Sequence, residues 1–472
     1  MQPATIDHPQ RQAGLPAHHI LWLLVILLAG LSEAFFCYRQ VRREPIRFDE
    51  AAYCMAATDI QRDGVISKYL FSNIRTYIYP AFVAVTAKDV ALRNDQTRRS
   101  IFIVQTFLYF ASVIVLYFVW QRYLGVTKAL AVLALFCLNP IFLVYLSYIL
   151  TEIFSLLLTL AFVTLVACSL RENHIPKWWH SVLLGLILGA AIMTRPANIY
   201  LMTLWLPGVC LHLWRAYRAG SLTRAITMSA ISLLILTAIC VPQYINNSRY
   251  WHRKTPLVAN DLGGNVIHWG RLYVKYATYW GPKGDPRLRY TNPFFASLPD
   301  HPTLAQRSWA EVRSDAVHVF ALVDQDFIRT YTYSLTPSTR WLGTIGSLSL
   351  FMIGSFGILV SSAFGAAELW QSRFIQVGRT NILAVASLIA LLGCVALYAR
   401  TSVEARYGLP ILAFSSLFLP SAITSWSRLR LTLRLASAAI FCVLLLSGCV
   451  LSHWVQAQAP SIVQAWKLQG RQ

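Results

Sequence analysis

Read only for hydrophobic and polar positions, the 472-residue chain alternates long apolar runs with short polar connections. The apolar runs fall at 20–38, 101–120, 129–148, 152–170, 180–195, 198–214, 225–244, 341–362, 381–399, 407–426 and 435–454. Most are close to the ~20 residues that span a hydrocarbon core. In lipid every backbone polar group has to be satisfied internally, so continuous runs of this length predict helices. The pattern predicts an all-α polytopic membrane protein with about 11 transmembrane helices. The first run lacks a small-residue cleavage site and reads as a retained signal-anchor rather than a removed leader. "YIYPAFVAVTA", from Tyr77 to Ala87, is too short to cross and carries Pro80, so it is expected to be re-entrant or interfacial.

Charge supplies the orientation. Charged residues make up 13% of the chain, and the net charge is +21. That excess sits in short connections: Arg122 and Lys128; Arg215, Arg218 and Arg224; Arg373 and Arg379; Arg428, Arg430 and Arg434. Basic residues spread over short loops are topology determinants facing anionic lipid, not a nucleic-acid footprint. They assign these loops, and the N-terminus, to the cytoplasmic face. The expected organisation is a cytoplasmic tail (1–19) and a transmembrane module (20–244) holding a first outer loop (39–100). A large outer loop (245–340), C-terminal transmembrane helices (341–454) and a short outer tail (455–472) follow. Eight of the nine cysteines lie in apolar runs, with Cys54 apart, and no CxxC spacing occurs. They read as small hydrophobes.

Candidate chemistry lies on the outer side. "FDEAAYCMAATDI" places Asp49 and Glu50 at the start of an alanine-rich helix just beyond the first span. One reading makes Asp49 an N-cap and Glu50 a first-turn acid favoured by the helix dipole. The other makes the pair catalytic, with a capped helix holding a carboxylate at the membrane surface. The predicted topology brings Arg75, Glu152, Arg195, Arg400 and Arg406 to the same face, with Tyr77 and Tyr407 beside them as further substrate-binding candidates. Charges at a membrane boundary are costly and so are candidates for function. Each also has a plainer reading: a helix-start acid for Glu152, a snorkelling cation before Pro196 for Arg195, pairing with Glu404 or lipid phosphate for Arg400 and Arg406, and a solvated charge for Arg75.

A carboxylate among arginines suits sugar transfer from a lipid phosphate. Negative charge grows on the departing phosphate, and fixed guanidinium groups stabilise it. The acceptor hydroxyl needs one ionised carboxylate as base. No His/Asp cluster has metal-ligand spacing, so no obligatory metal is expected. The aromatic stretch "NVIHWGRLYVKYATYWG" in the second loop could stack on sugars, or lie as an amphipathic helix at headgroup depth.

"FDEAAY" after the first span, "LTEIFSLLL" opening the fourth, "TRPANIY" between the fifth and sixth and "ARYGLPIL" entering the tenth resemble the GT-C glycosyltransferases. Within that superfamily the likeness is to the protein O-mannosyltransferase and lipid A aminoarabinose transferase branch. The resemblance implies a multi-pass protein of the bacterial inner membrane whose site faces the periplasm, a polyprenyl-phosphate sugar as donor, and a lipid, glycan or protein acceptor. By that carry-over Asp49 is the catalytic acidic residue and Glu50 its neighbour in the motif. The proline-rich stretch that many bacterial relatives carry after this helix is replaced by "RTYIYP". Two other classes fit a polytopic chain. A transporter or lipid flippase would show repeated halves and broken midplane helices, and an O-antigen polymerase or ligase would need no acidic pair after its first span.

Overall fold

In a computed structural model the residues described are 17–69 (except 44 and 47), 72–171, 178–259, 379–398 and 409–427, with scattered positions beyond. Every regular element among them is a helix. In chain order they are α1 (Ala17–Val41), α2 (Phe48–Asp63), α3 (Ile78–Thr86), α4 (Asp95–Leu124), α5 (Val126–Leu138), α6 (Pro140–Tyr145), α7 (Glu152–Arg171), α8 (Trp178–Thr194), α9 (Met202–Arg218), α10 (Leu222–Trp251), α11 (Arg379–Tyr398) and α12 (Leu409–Ser427).

Four segments among the described residues are long and apolar enough to cross a membrane: His18–Arg39, Asp95–Leu124, Glu152–Leu170 and Leu222–Trp251. Val126–Leu138, Trp178–Thr194, Asn381–Leu397 and Leu409–Pro420 are shorter apolar helices. The outer surface supports the same reading. Leu21, Trp22, Leu24, Leu28 and Phe35 of α1, Phe107 and Val115 of α4, and Leu234 of α10 all stand exposed. A water-soluble surface does not carry apolar area on this scale, whereas lipid tails cover it. The chain is a membrane protein, all-helical among its described residues.

The expected span at 129–148 is not one helix. α5 stops at Leu138, Asn139 turns extended at φ −81°, ψ 110°, and α6 restarts at Pro140. The residue before a proline is pushed out of the helical region, and proline itself is favoured at a first helical position. α6 is brief, and a turn follows through Ser147 to the start of α7. The second span begins earlier than its apolar run, because Asn94 caps α4 by accepting the Thr97 N–H at 3.0 Å. The sixth is preceded by a 3-10 turn, Pro196–Leu201. α3 has nine residues, too few to cross, as expected of the Pro80 segment. Most of the runs at 341–362 and 435–454, and most of the large loop, lie outside the described residues.

The helices run back and forth between two ends. Trp120 Nε1 donates to Thr164 Oγ1 at 3.0 Å, and Tyr123 meets Cys168 at 3.1 Å, so α4 and α7 run parallel. α8 and α10 are also parallel, and Gly185 lets their backbones meet, because a Cβ there would strike the Ser232 carbonyl. Arg122, Lys128, Arg215, Arg218 and Arg224 gather at one end. α2 and α3 lie at the other, packed on the start of α4 and on the turn before α7 through Tyr53, Cys54, Tyr79, Val83, Ile101 and Ile149.

Candidate functional site

α2 starts at Phe48, one residue before the expected cap, so Asp49 and Glu50 both occupy its first turn. The N-terminal end of the helix dipole favours both carboxylates there. Their surroundings differ. Asp49 Oδ1 accepts from Arg75 Nη2 at 2.6 Å, with side chains 34% and 17% exposed. The Arg75 guanidinium also lies over the Tyr53 ring, 4.3 Å from its centre. Burial pulls Arg75 down, but the facing Tyr53 and Asp49 oxygens more than offset this and hold it above its ordinary value. Arg75 is therefore a fixed cation at any working pH.

Glu50 is buried. Its Oε2 accepts from Arg98 Nη2 at 2.8 Å, and its Oε1 accepts the Ile149 N–H at 2.9 Å. Arg98, 1% exposed, also donates through Nη1 to the Val41 carbonyl at 2.8 Å. Cys54, one turn further along α2, is fully buried rather than lying in a loop. Burial, and then the Glu50 charge, push its thiol up to about 12, so it offers no thiolate nucleophile.

Glu152 opens α7, as its position in the sequence suggested, and Arg195 follows the last residue of α8. They meet at 3.4 Å, Glu152 at 2% and Arg195 at 15% side-chain exposure. A run of aromatic rings links α2 to α7: the Tyr53 and Tyr79 rings are 5.0 Å apart, and Tyr79 and Phe154 are 5.8 Å apart. Tyr79 Oη donates to Gln105 Oε1 at 2.9 Å. Asp49, Glu50, Arg75, Glu152 and Arg195 thus collect at one end of the bundle.

Tyr77 stands apart from the ion pairs. Its hydroxyl donates to the Ile239 carbonyl at 2.8 Å, within a turn of Pro242, where proline interrupts the hydrogen bonding of α10. Arg400, Arg406 and Tyr407 lie outside the described residues, as does the aromatic stretch of the second loop.

Sequence reasoning missed the support around these groups. Tyr69 Oη lies 3.1 Å from both the Arg75 carbonyl and Gln243 Oε1. Gln243 Nε2 donates to the Ser72 carbonyl at 3.1 Å, and Trp251 Nε1 donates to Ser72 Oγ at 3.0 Å. Asn246 Nδ2 donates to the Val65 carbonyl at 2.8 Å. The last turns of α10 therefore hold the segment carrying Arg75. The available signal was a series of amides and an indole, Gln243, Asn246, Asn247 and Trp251, at helical spacing across and just beyond the end of the apolar run.

A small cavity between α7, α8, α9 and α10, lined in part by Ser181, His212 and Ser232, lies at the basic end and contains no acid. Among the described residues no three or more His, Cys, Asp or Glu gather as a metal site would require.

No protein-family model matches the chain, and no curated protein does. Among solved structures it is similar to ArnT from Cupriavidus metallidurans in the apo state, at 13% identity and TM-score 0.47, over 88% of this chain and 61% of that one. It is similar also to the Archaeoglobus fulgidus oligosaccharyltransferase tethered with an acceptor peptide, at 13% identity and TM-score 0.47, over 94% of this chain and 55% of that one. The same ArnT bound to undecaprenyl phosphate aligns at 13% identity and TM-score 0.34, over 87% and 80%. The chain spans less than two thirds of the length of the first two structures.

Proposed function

We propose that the chain is an inverting membrane glycosyltransferase that moves a sugar from a polyprenyl-phosphate donor to an acceptor hydroxyl. The site faces outward, at the periplasmic face of a bacterial inner membrane. Asp49 Oδ takes the acceptor proton, and the acceptor oxygen attacks the anomeric carbon from the face opposite the lipid. The bond from that carbon to the phosphate oxygen breaks with its electron pair on the phosphate, giving polyprenyl phosphate and an inverted glycoside. Arg75 and Arg195 lie at the candidate end, and Arg400, Arg406 and Tyr407 are proposed to join them around the phosphate. Glu152 would keep Arg195 aimed, and Tyr77 would hold the Arg75 segment on α10.

The observation carrying this reading is the Asp49–Arg75 pair: a part-exposed carboxylate in contact with a guanidinium that stays charged, at the opposite end from the basic loops. A guanidinium so placed stabilises charge growing on a leaving phosphate, and the carboxylate beside it remains available as a base. The test is transfer of radiolabel from undecaprenyl-phosphate mannose, and from the aminoarabinose and glucose equivalents, to defined lipid and peptide acceptors in nanodiscs. Covalent product is expected from one donor, with Asp49→Asn lowering turnover on the order of 10²–10⁴-fold while the folded protein survives. Full turnover by Asp49→Asn would remove the base assignment and point to an acceptor that is already ionised. Transport of label without any covalent product would instead favour the transporter class.

A further inference from the structure

The sequence motif puts Glu50 beside Asp49 as if the two shared one task, but Glu50 is turned into the protein. Both of its oxygens are engaged, one by Arg98 on α4 and one by the Ile149 backbone in the turn before α7. The same Arg98 holds the carbonyl of Val41, the last residue of α1. One buried guanidinium and one buried carboxylate therefore join four segments: the end of α1, the first turn of α2, the first turns of α4 and the turn leading into α7. Consecutive residues on an α-helix project about 100° apart. Fixing Glu50 inward thus fixes the azimuth of α2 about its own axis and turns Asp49 toward Arg75.

We propose that Arg98 and Glu50 are positioning residues whose ion pair aims Asp49 at Arg75; the catalytic consequence rests on Asp49 being the base, as read above. An apolar pair would fill the same space. A buried ion pair differs in its directionality: three bonds of 2.8, 2.8 and 2.9 Å permit one rotation and one register of α2. Apolar contacts alone would allow α2 to roll, and a displacement of about 1 Å at reacting groups costs on the order of 10²-fold in rate.

The double variant Glu50→Leu/Arg98→Met separates positioning from stability. Replacing a buried ion pair by apolar side chains of similar volume commonly leaves a fold as stable or more so. In the full chain in detergent, the melting temperature is expected to fall by less than in Arg98→Met alone, because no charge is left buried and only the Ile149 N–H and the Val41 carbonyl lose a partner. Amides of segment 48–56 are expected to exchange at least about tenfold faster, while those of 101–117 keep the parent rate. With the donor that gives product, kcat should fall by about tenfold or more at unchanged donor KM. Glu50→Gln keeps an oxygen for the Ile149 N–H but takes the counter-ion from the buried Arg98; it takes the place of the double variant if that protein does not accumulate, with changes of the same sign in both readouts. Parent-like exchange across 48–56 overturns the proposal. So does parent-like kcat in a preparation where Asp49→Asn is inactive. If Asp49→Asn is itself fully active, the base assignment fails instead, and the exchange measurement alone still decides whether the pair fixes α2.

Discussion

Two neighbouring carboxylates on α2 are each paired to an arginine, and they sit in different media. The Asp49–Arg75 side is open, and the acid is 34% exposed. The Glu50–Arg98 side is closed, with exposures of 10% and 1%, and the Val41 and Ile149 peptide groups each bond one of the two partners. A pair in contact with solvent adds little to stability because water screens it and solvates each partner alone. A sealed pair adds geometry, and it becomes a liability only when one member is removed. The same motif therefore contributes one part-exposed carboxylate and one sealed one, which on the proposed reading are the base and the group that aims it.

This contrast can be broken in graded steps. The largest effect on the fold is expected from Arg98→Met alone, which leaves Glu50 charged and sealed. It should lose about 3–5 kcal/mol in a thermal or denaturant melt, and a loss below 1 kcal/mol (about a fivefold change in the folding constant) would mean that water reaches the pair. Arg195→Met takes away the Glu152 counter-ion, but the contact is longer, at 3.4 Å, and Arg195 is part-exposed. The expected loss is smaller, about 1.5–3 kcal/mol by the same melt.

Arg75→Lys examines the open side through pH. The pKa of Arg75 is raised above its ordinary value, so its contribution is complete below the unfolded value and falls away only above the folded one. The parent should show no alkaline loss from this group below about pH 11, whereas the lysine variant should lose rate near its own ordinary value of about 10.4. A parent rate that already falls at about pH 9 would show that another group sets the alkaline limb. The smallest effect is on the stability of Asp49→Asn: a change of only about 0.2–1 kcal/mol is expected, in contrast to its large effect on turnover. A loss of several kcal/mol would place Asp49 with Glu50 as a structural group.

The parts of the fold legible in the sequence were those written as long apolar runs. α1, α4, α7 and α10 each contain a run expected to cross. The break at Asn139–Pro140 was legible in principle, since proline ends helical pairing, but the surrounding apolar residues concealed it. Glu152 and Arg195 were found because a lone charge between apolar runs is conspicuous, and the structure pairs them. Arg98 was not found. It precedes the apolar run of α4 by one turn, and there it resembled any loop cation until the Asn94 cap drew the helix back over it. The amides of α10 escaped notice for a related reason: hydropathy averages them away at the end of a span, although helical spacing puts them on the face that holds the Arg75 segment.

Sequence by itself determined that this chain belongs in a membrane and is helical, because the hydrophobic effect and the cost of unpaired backbone in lipid act on local runs of residues. It also determined which acids and arginines were available. What each charge is for was decided only by the packing of α2 against α4 and the turn before α7. Exposure and partnership are set by residues distant in the chain: Val41, Arg98 and Ile149 for Glu50, and Arg75 and Tyr53 for the Asp49 side. A carboxylate's chemistry follows from its dielectric surroundings and its partners, and those come into being only when the helices meet.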